Sequence, residues 1–321
     1  MSVPTPSLTE ADRDELIRTR RDLHRHPELG MEEHRTAGIV AGRLEAAGYT
    51  VTRGVGRTGV VGVLACGEGP CLMLRADMDA LPVQEVAGRD HGSTVEGVMH
   101  ACGHDGHVAT LLTAADVLAR ERARLGGTLK LVFQPGEEGF GGAREMIADG
   151  VLRDPEVDAA VGLHYWSMQP TGTVGASAGP VMASVDEFHL TITGVGGHAA
   201  IPHEATDALV TAAYVVTALQ TVVSRRTDPL EAAVVTVGEL HAGNVFNVIP
   251  GEARLAGTVR TFERALWEAI PERVEQVIRG VCEAHGCTYE MDYRRLNSPT
   301  INDPGVAALV REVGAGLVGA D

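Results

Sequence analysis

The sequence is short of several things, and each shortage removes a class of function. No apolar run approaches the ~20 residues that span a bilayer, so no membrane partner is expected. Basic residues form no patch and the formal net charge is −16, so no nucleic-acid partner is expected. Residues 1–6, Met-Ser-Val-Pro-Thr-Pro, carry neither the basic start nor the apolar stretch of a secretory signal. The expected location is cytoplasmic. Lysine occurs once, at Lys130, beside 26 arginines; with the abundant alanine and glycine this reflects a GC-rich genome and carries no mechanism. The cysteines are five, at 66, 71, 102, 282 and 287, an odd number without framework spacing. That argues for free thiols in a reducing compartment. No repeat and no low-complexity tract is present. A length of 321 residues allows two domains and a sizeable core.

What the chain does have is concentrated between Gly97 and His107, Gly-Val-Met-His-Ala-Cys-Gly-His-Asp-Gly-His. His100, Cys102, His104, Asp105 and His107 fall within eight residues, and a helical pattern follows at once. Soft and borderline donors at the mouth of a helix point to a transition metal, most simply zinc or manganese.

The flanking pattern is α/β. Helices are expected at about 8–24, 32–47, 105–122 and 141–150. Nearly continuous apolar runs at 59–65, 71–76, 128–134 and 157–163 have the character of strands covered on both faces. Three of these runs deliver acids or imidazole at their carboxyl ends: Asp77 and Asp79, Glu137 and Glu138, and His164. Ligands of open α/β sheets sit outside those strand ends, so these side chains are expected to converge on one rim with Cys102 and His104. His24, His26, His100 and His107 are expected to pack or support.

From Val185 the strands alternate as half-buried ones do, and the order becomes β-α-β-β-α-β over about 180–296, the ferredoxin-like arrangement. The expected division is therefore a first domain at 1–179, an inserted domain at 180–296, and the start of a return to the first domain at 297–321.

These pieces resemble the amidohydrolase branch of the M20 metallopeptidases, which includes hippurate hydrolases, N-acyl-amino-acid amidohydrolases and auxin-conjugate hydrolases. The resemblance rests on His24-Arg-His-Pro-Glu-Leu-Gly, Arg75-Ala-Asp-Met-Asp-Ala-Leu-Pro, Met99-His-Ala-Cys-Gly-His-Asp-Gly-His, Phe133-Gln-Pro-Gly-Glu-Glu-Gly and Gly162-Leu-His. It continues through Gly196-Gly-His-Ala-Ala-Ile-Pro, Asn247-Val-Ile-Pro and Gly257-Thr-Val-Arg260, in family order over essentially the whole chain.

The resemblance implies a metal-dependent exopeptidase-like catalytic domain with a central mixed sheet, and an inserted α+β lid through which relatives form dimers or tetramers. It implies two divalent ions, manganese or zinc with cobalt or nickel as substitutes, held by Cys102, His104, Glu138 and His164. Glu137 would be the general base acting on a polarised water, although both glutamates binding metal is an alternative. Asp79 would orient a ligand from the second layer; Asp105 would either cap the helix or support His104. His198 would polarise the scissile carbonyl, while Asn247 and Arg260 would contact the substrate, an N-acyl amino acid, with Arg260 gripping its carboxylate. Relatives supply a further metal histidine near their C-terminus, and none follows His285 here. A shortened relative that binds metal or ligand without turnover is thus the competing expectation, and a deacetylase or carboxypeptidase is another. A cysteine nucleophile built from Cys102 and His104, or a structural zinc knot, leaves the strand-end acids unexplained.

Overall fold

The computed structural model describes residues 8–319. Residues 1–6, read above for a signal, lie outside them, as does Asp321 at the end of the third expected segment. The chain divides into two compact units, Met1–Thr171 and Gly172–Asp321.

In the first unit the elements are α1 (Glu10–Arg25), α2 (His34–Ala46), β1 (Thr50–Val55), β2 (Gly59–Ala65), β3 (Cys71–Asp77), α3 (His104–Arg120), β4 (Thr128–Gln134), α4 (Gly142–Ala148) and β5 (Ala159–Gly162). Thr9 starts α1 with a reciprocal capping box to Asp12. The sheet order is β1-β2-β4-β3-β5. β4, β3 and β5 run parallel, and β2 and β1 are antiparallel additions. The sheet is thus mixed, as expected.

β2 and β4 are covered on both faces, which is why they lack polar alternation, whereas β5, expected to be covered likewise, is half-exposed with no buried residue. Val60, Leu64, Leu131 and Phe133 meet Leu23, Val40, Leu44, Val108 and Leu112 of α1, α2 and α3. Val61 and Val132 meet Met146 and Val151 on the other side. Lys130 points into this second layer, 2 % exposed. Its Nζ donates to the carbonyls of Val151, Arg153 and Pro155 at 3.0, 2.7 and 2.8 Å, so the sole lysine ties a loop to the sheet. Because β3, β4 and β5 are parallel, their carboxyl ends, at Asp77, Gln134 and Gly162, share one edge of the sheet. β1 was not expected: none of its residues is buried, so it carries no apolar signal.

In the second unit the elements are β6 (Gly179–Met182), β7 (Val185–Thr193), β8 (Gly197–His198), α5 (Ala208–Arg226), β9 (Ala233–Ala242), β10 (Val248–Ile249), β11 (Glu252–Thr261), α6 (Arg264–His285), β12 (Thr288–Asn297), β13 (Thr300–Asn302) and α7 (Pro304–Val318). β12-β7-β11-β9 form an antiparallel sheet. β7, α5, β9, β11, α6 and β12 follow one another in ferredoxin-like order. Phe188, Leu190, Ile192, Leu255 and Val259 of the sheet pack with Val215, Leu219, Ile270 and Ile278 of α5 and α6.

α5 has 19 residues, and a window of 18 of them has a mean hydropathy of 1.3, enough by length and composition to cross a membrane. Its apolar character has another cause: Ala208, Thr211, Ala212, Val215, Leu219 and Val222 recur at helical spacing and are buried on one face, five of them in the core of this unit. The division between units falls at Thr171/Gly172, ahead of the expected joint. β6 pairs with β13, and this bond between 179–182 and 300–302 groups α7 with the second unit.

Candidate metal centre

Four segments meet at the carboxyl edge of the first sheet. β3 runs into Asp77-Met78-Asp79, β4 into Pro135-Gly136-Glu137-Glu138, and β5 into His164, while α3 begins at His104. Gly103 precedes α3 at φ 85°, a left-handed conformation suited to glycine, which turns the chain sharply between Cys102 and His104.

His104 is fully buried. Its Nδ1–H donates to the Asp79 carbonyl at 2.8 Å, so the free lone pair is on Nε2. Nε2 lies 3.6 Å from Asp77 Oδ2 and 3.9 Å from Glu138 Oε1. Across from it, Cys102 Sγ is 3.4 Å from His164 Nε2, and His164 Nδ1 donates to the Tyr165 carbonyl at 2.6 Å. Cys102, His104 and His164 bring ligand atoms within 4.8 Å of one another, and so do His104, Glu137 and Glu138. His104 belongs to both groups. Ligand atoms of Asp77, His104 and His107 likewise lie within 4.8 Å of one another.

Charges in this edge are strongly coupled. The neighbouring His104 and His164 imidazoles hold the Cys102 thiol below its ordinary value. His164 is raised, first by its bond to Cys102. Burial works against a charge on His104, yet Asp79, Cys102 and Asp77 push it up to about 11. Burial would also raise Asp77, but His107 and the Arg75 and His104 charges hold its carboxyl well below the carboxylate range. Glu137 is raised by burial and then by the negative charges of Glu138 and Asp77.

The residues fit divalent ions. His104 Nε2 and Glu138 Oε1 are buried without a hydrogen-bond partner among the described residues, which for buried polar atoms calls for an explanation. The negative groups around His104 favour positive charge, which a divalent cation would supply in place of a proton. A thiolate, imidazoles and carboxylates suit zinc or manganese.

Asp79 accepts the Glu138 amide at 2.9 Å through Oδ2, and its Oδ1 is 3.3 Å from His104 Nδ1. It touches both a donor loop and a donor side chain. Asp105 does neither of the things expected of it. α3 has no side-chain cap, and no described bond of His104 runs to Asp105. The Asp105 carboxylate instead takes His24 Nδ1 and Arg20 Nε, each at 2.8 Å, because α1 crosses α3 at this turn. His100 is 4 % exposed, with burial lowering its pKa to about 4.

Sequence reasoning missed Glu33. Fully buried, it accepts the Gly136 amide at 2.8 Å and the Thr58 hydroxyl, anchoring the turn that carries Glu137 and Glu138. Nothing in Glu32-Glu33 distinguishes it from acids at a helix start.

The other expected residues lie in the second unit. His198 of β8 stands opposite Val248 of β10. Its Nδ1 accepts the Ala200 amide at 3.0 Å, while the Asn247 carbonyl accepts the Ala199 amide at 3.1 Å. One ribbon thus brings His198 and Asn247 together. Arg260 is on β11, where Nη1 donates to the Ser184 carbonyl at 3.2 Å. It lines a cleft of about 330 Å³ with Asp186, Glu187 and His189.

Known proteins resemble this chain over most of its length. An N-acyl-L-amino acid amidohydrolase of Geobacillus stearothermophilus is 42% identical over 297 residues, 92% of this chain and 80% of the relative. The IAA-amino acid hydrolase ILR1-like 2 of Arabidopsis thaliana is 41% identical over 310 residues, 95% of this chain and 70% of the relative. Among solved structures, the Bacillus subtilis YXEP protein, a dinuclear metal binding peptidase from the M20 family, superposes with a TM-score of 0.82 at 35% identity, covering 96% of this chain and 81% of that one. The profile of peptidase family M20/M25/M40 matches residues 73–321, and the chain belongs to that family. It is a hydrolase that acts on amide bonds.

Proposed function

We propose that the chain hydrolyses the amide bond of an N-acyl amino acid, using two divalent ions held by Cys102, His104, Glu138 and His164 and Glu137 as general base. The observation that carries this reading is the sharing of His104 between two donor groups, one with Cys102 and His164, the other with the paired glutamates. The two groups adjoin at His104, so donors for two neighbouring ions lie along one edge of the sheet. Bound there, the ions supply Lewis acidity toward the amide carbonyl and make water a better nucleophile near neutral pH.

Glu137 takes the proton of the attacking water and returns it to the leaving nitrogen. Burial and the negative charge of Glu138 and Asp77 raise its pKa, which moves it toward the operating range of a general base. Glu138 differs by position: its amide is fixed by Asp79 and its Oε1 lies toward His104. The same reading gives His198 the role of polarising the carbonyl, Asn247 that of contacting the substrate, and Arg260 that of gripping its carboxylate. The names of the Geobacillus and Arabidopsis relatives, hydrolases of acyl and indole-acetyl (IAA) amino acids, support the substrate class. A dimer through the second unit belongs to the same reading, supported by β9 at the edge of its sheet and by exposed Leu209, Val210 and Tyr214 on α5.

Glu137→Gln tests the assignment. Metal content should stay at the wild-type level while kcat on a hippurate-type substrate falls by roughly 10²–10⁴-fold. Full turnover in that variant, or turnover in wild-type protein that resists chelators, removes the reading.

A further inference from the structure

His107 is buried, 2 % exposed, and both its ring nitrogens are engaged. Tyr165 N–H donates to Nε2 at 3.0 Å. Nε2 is therefore the unprotonated nitrogen, and Nδ1–H donates to Asp77 Oδ1 at 2.6 Å. Asp77 is itself held from the other side by Arg75 Nη1 at 2.8 Å. His107 also has a ring nitrogen within 4.8 Å of donor atoms of Asp77 and His104, but coordination through either nitrogen would break one of these bonds.

The same tyrosine is fastened to α3 at two more points. Its hydroxyl bonds Thr110 Oγ1 at 2.7 Å. Its ring lies so close over Gly106 that a Cβ there would come within 2.2 Å of it. The Tyr165 carbonyl then takes His164 Nδ1–H at 2.6 Å, which turns His164 Nε2 toward Cys102. A continuous set of bonds runs Arg75, Asp77, His107, the Tyr165 backbone, His164.

We propose that His107 is a positioning residue for His164: oriented by Asp77, it accepts the Tyr165 amide and locks the His164 segment onto α3 beside Cys102. This rests on the reading of His164 as a metal ligand. Partners that fix the direction of a ligand imidazole typically set metal affinity by 10–100-fold. The chemistry also separates a positioning role from mere filling of space, because it requires an acceptor at the place of Nε2.

The full chain, His107→Leu, His107→Gln and Gly106→Ala are compared by calorimetric titration with Mn²⁺ or Zn²⁺. His107→Leu should weaken one of the two ions by roughly 10–100-fold. His107→Gln, whose amide oxygen reaches the place of Nε2, should recover most of that loss. Gly106→Ala favours the helix by intrinsic propensity but displaces the tyrosine ring, and should weaken the same ion. In metal-free wild-type protein, the histidine ¹⁵N signals absent from His107→Gln should report a proton on Nδ1 and none on Nε2.

Wild-type affinity for both ions in His107→Leu overturns the positioning role alone, as does the opposite tautomer. Equal losses in His107→Leu and His107→Gln also overturn it, since they make the ring a ligand or a packing group. Wild-type protein that binds no divalent ion overturns the metal reading and leaves no ligand for His107 to position.

Discussion

His24 Nδ1 and Asp105 Oδ2 lie 2.8 Å apart with both side chains at most 2% exposed. This contact joins α1 to the first turn of α3, directly beside His104. Arg20 adds a second bond to Asp105, and Glu85 takes His24 Nε2 at 3.1 Å.

Asp105→Ala leaves a buried histidine and an arginine without their counter-charge and should destabilise the protein by about 3–5 kcal/mol. The pH dependence has a defined sign. The bond to Asp105 raises His24, so its contribution is complete below about pH 6.5, the unfolded value, and is lost as pH rises through the folded value. Burial would raise Asp105, but His24 and the neighbouring positive charges lower it. Its contribution is complete above about pH 4 and is lost as pH falls through the folded value. Urea unfolding should therefore show the largest gap between wild type and Asp105→Ala within that window, narrowing at both ends. A gap that does not vary with pH rejects the ion pair.

Glu33→Ala orphans the Gly136 amide and the Thr58 hydroxyl, at a cost of about 1–3 kcal/mol for each buried donor. Burial raises the Glu33 pKa. The native state keeps this proton longer than the unfolded chain, so the contribution is complete below about pH 4.3 and is lost as pH rises through the folded value. Glu33→Gln keeps an acceptor for Gly136 and removes the titration. The wild type should gain stability relative to Glu33→Gln on going from pH 8 to pH 4, and stability curves that run parallel would count against this.

Cys102→Ser replaces a thiol whose ionisation is favoured by His104 and His164 with a hydroxyl that does not ionise in the working range. Metal affinity should fall by more than the roughly 10–100-fold that outer partners cost. Cobalt-loaded wild-type protein should show a near-ultraviolet thiolate charge-transfer band, and the serine variant should lose it. A band that survives the substitution means another sulfur is the ligand.

Gly257→Ala should destabilise the second unit. Gly257 adjoins the register shift on β11, and a Cβ there would come within 2.3 Å of the fully buried Phe188 ring and 2.4 Å of the Thr236 carbonyl. Overpacking of this kind costs about 1–3 kcal/mol. An unchanged melting temperature would mean that β11 shifts freely.

The apolar runs of β2, β3 and β4 were legible because strands covered on both faces leave little polar alternation, and α6 because its buried positions repeat at helical spacing. β1, β6, β8, β10 and β13 were not: they are short or half-exposed, and hydrogen bonds to distant segments define them. In the site, the strand-end placement of Asp77, Asp79, Glu137, Glu138 and His164 follows from local pattern, since a parallel strand delivers whatever follows it to the same edge.

Pairing was a different matter. Asp79 and Asp105 are both acids near histidines in sequence, yet Asp79 meets the Glu138 amide while Asp105 meets α1, 81 residues away. His107 looked like a packing residue until Asp77 and the Tyr165 amide, 30 and 58 residues distant, closed on its two nitrogens. The kinds of donor and the edge they occupy were set by the order of residues along the chain. Which acid orients which imidazole was decided only when helices and strands crossed, because a hydrogen bond depends on distance and direction that no local pattern contains.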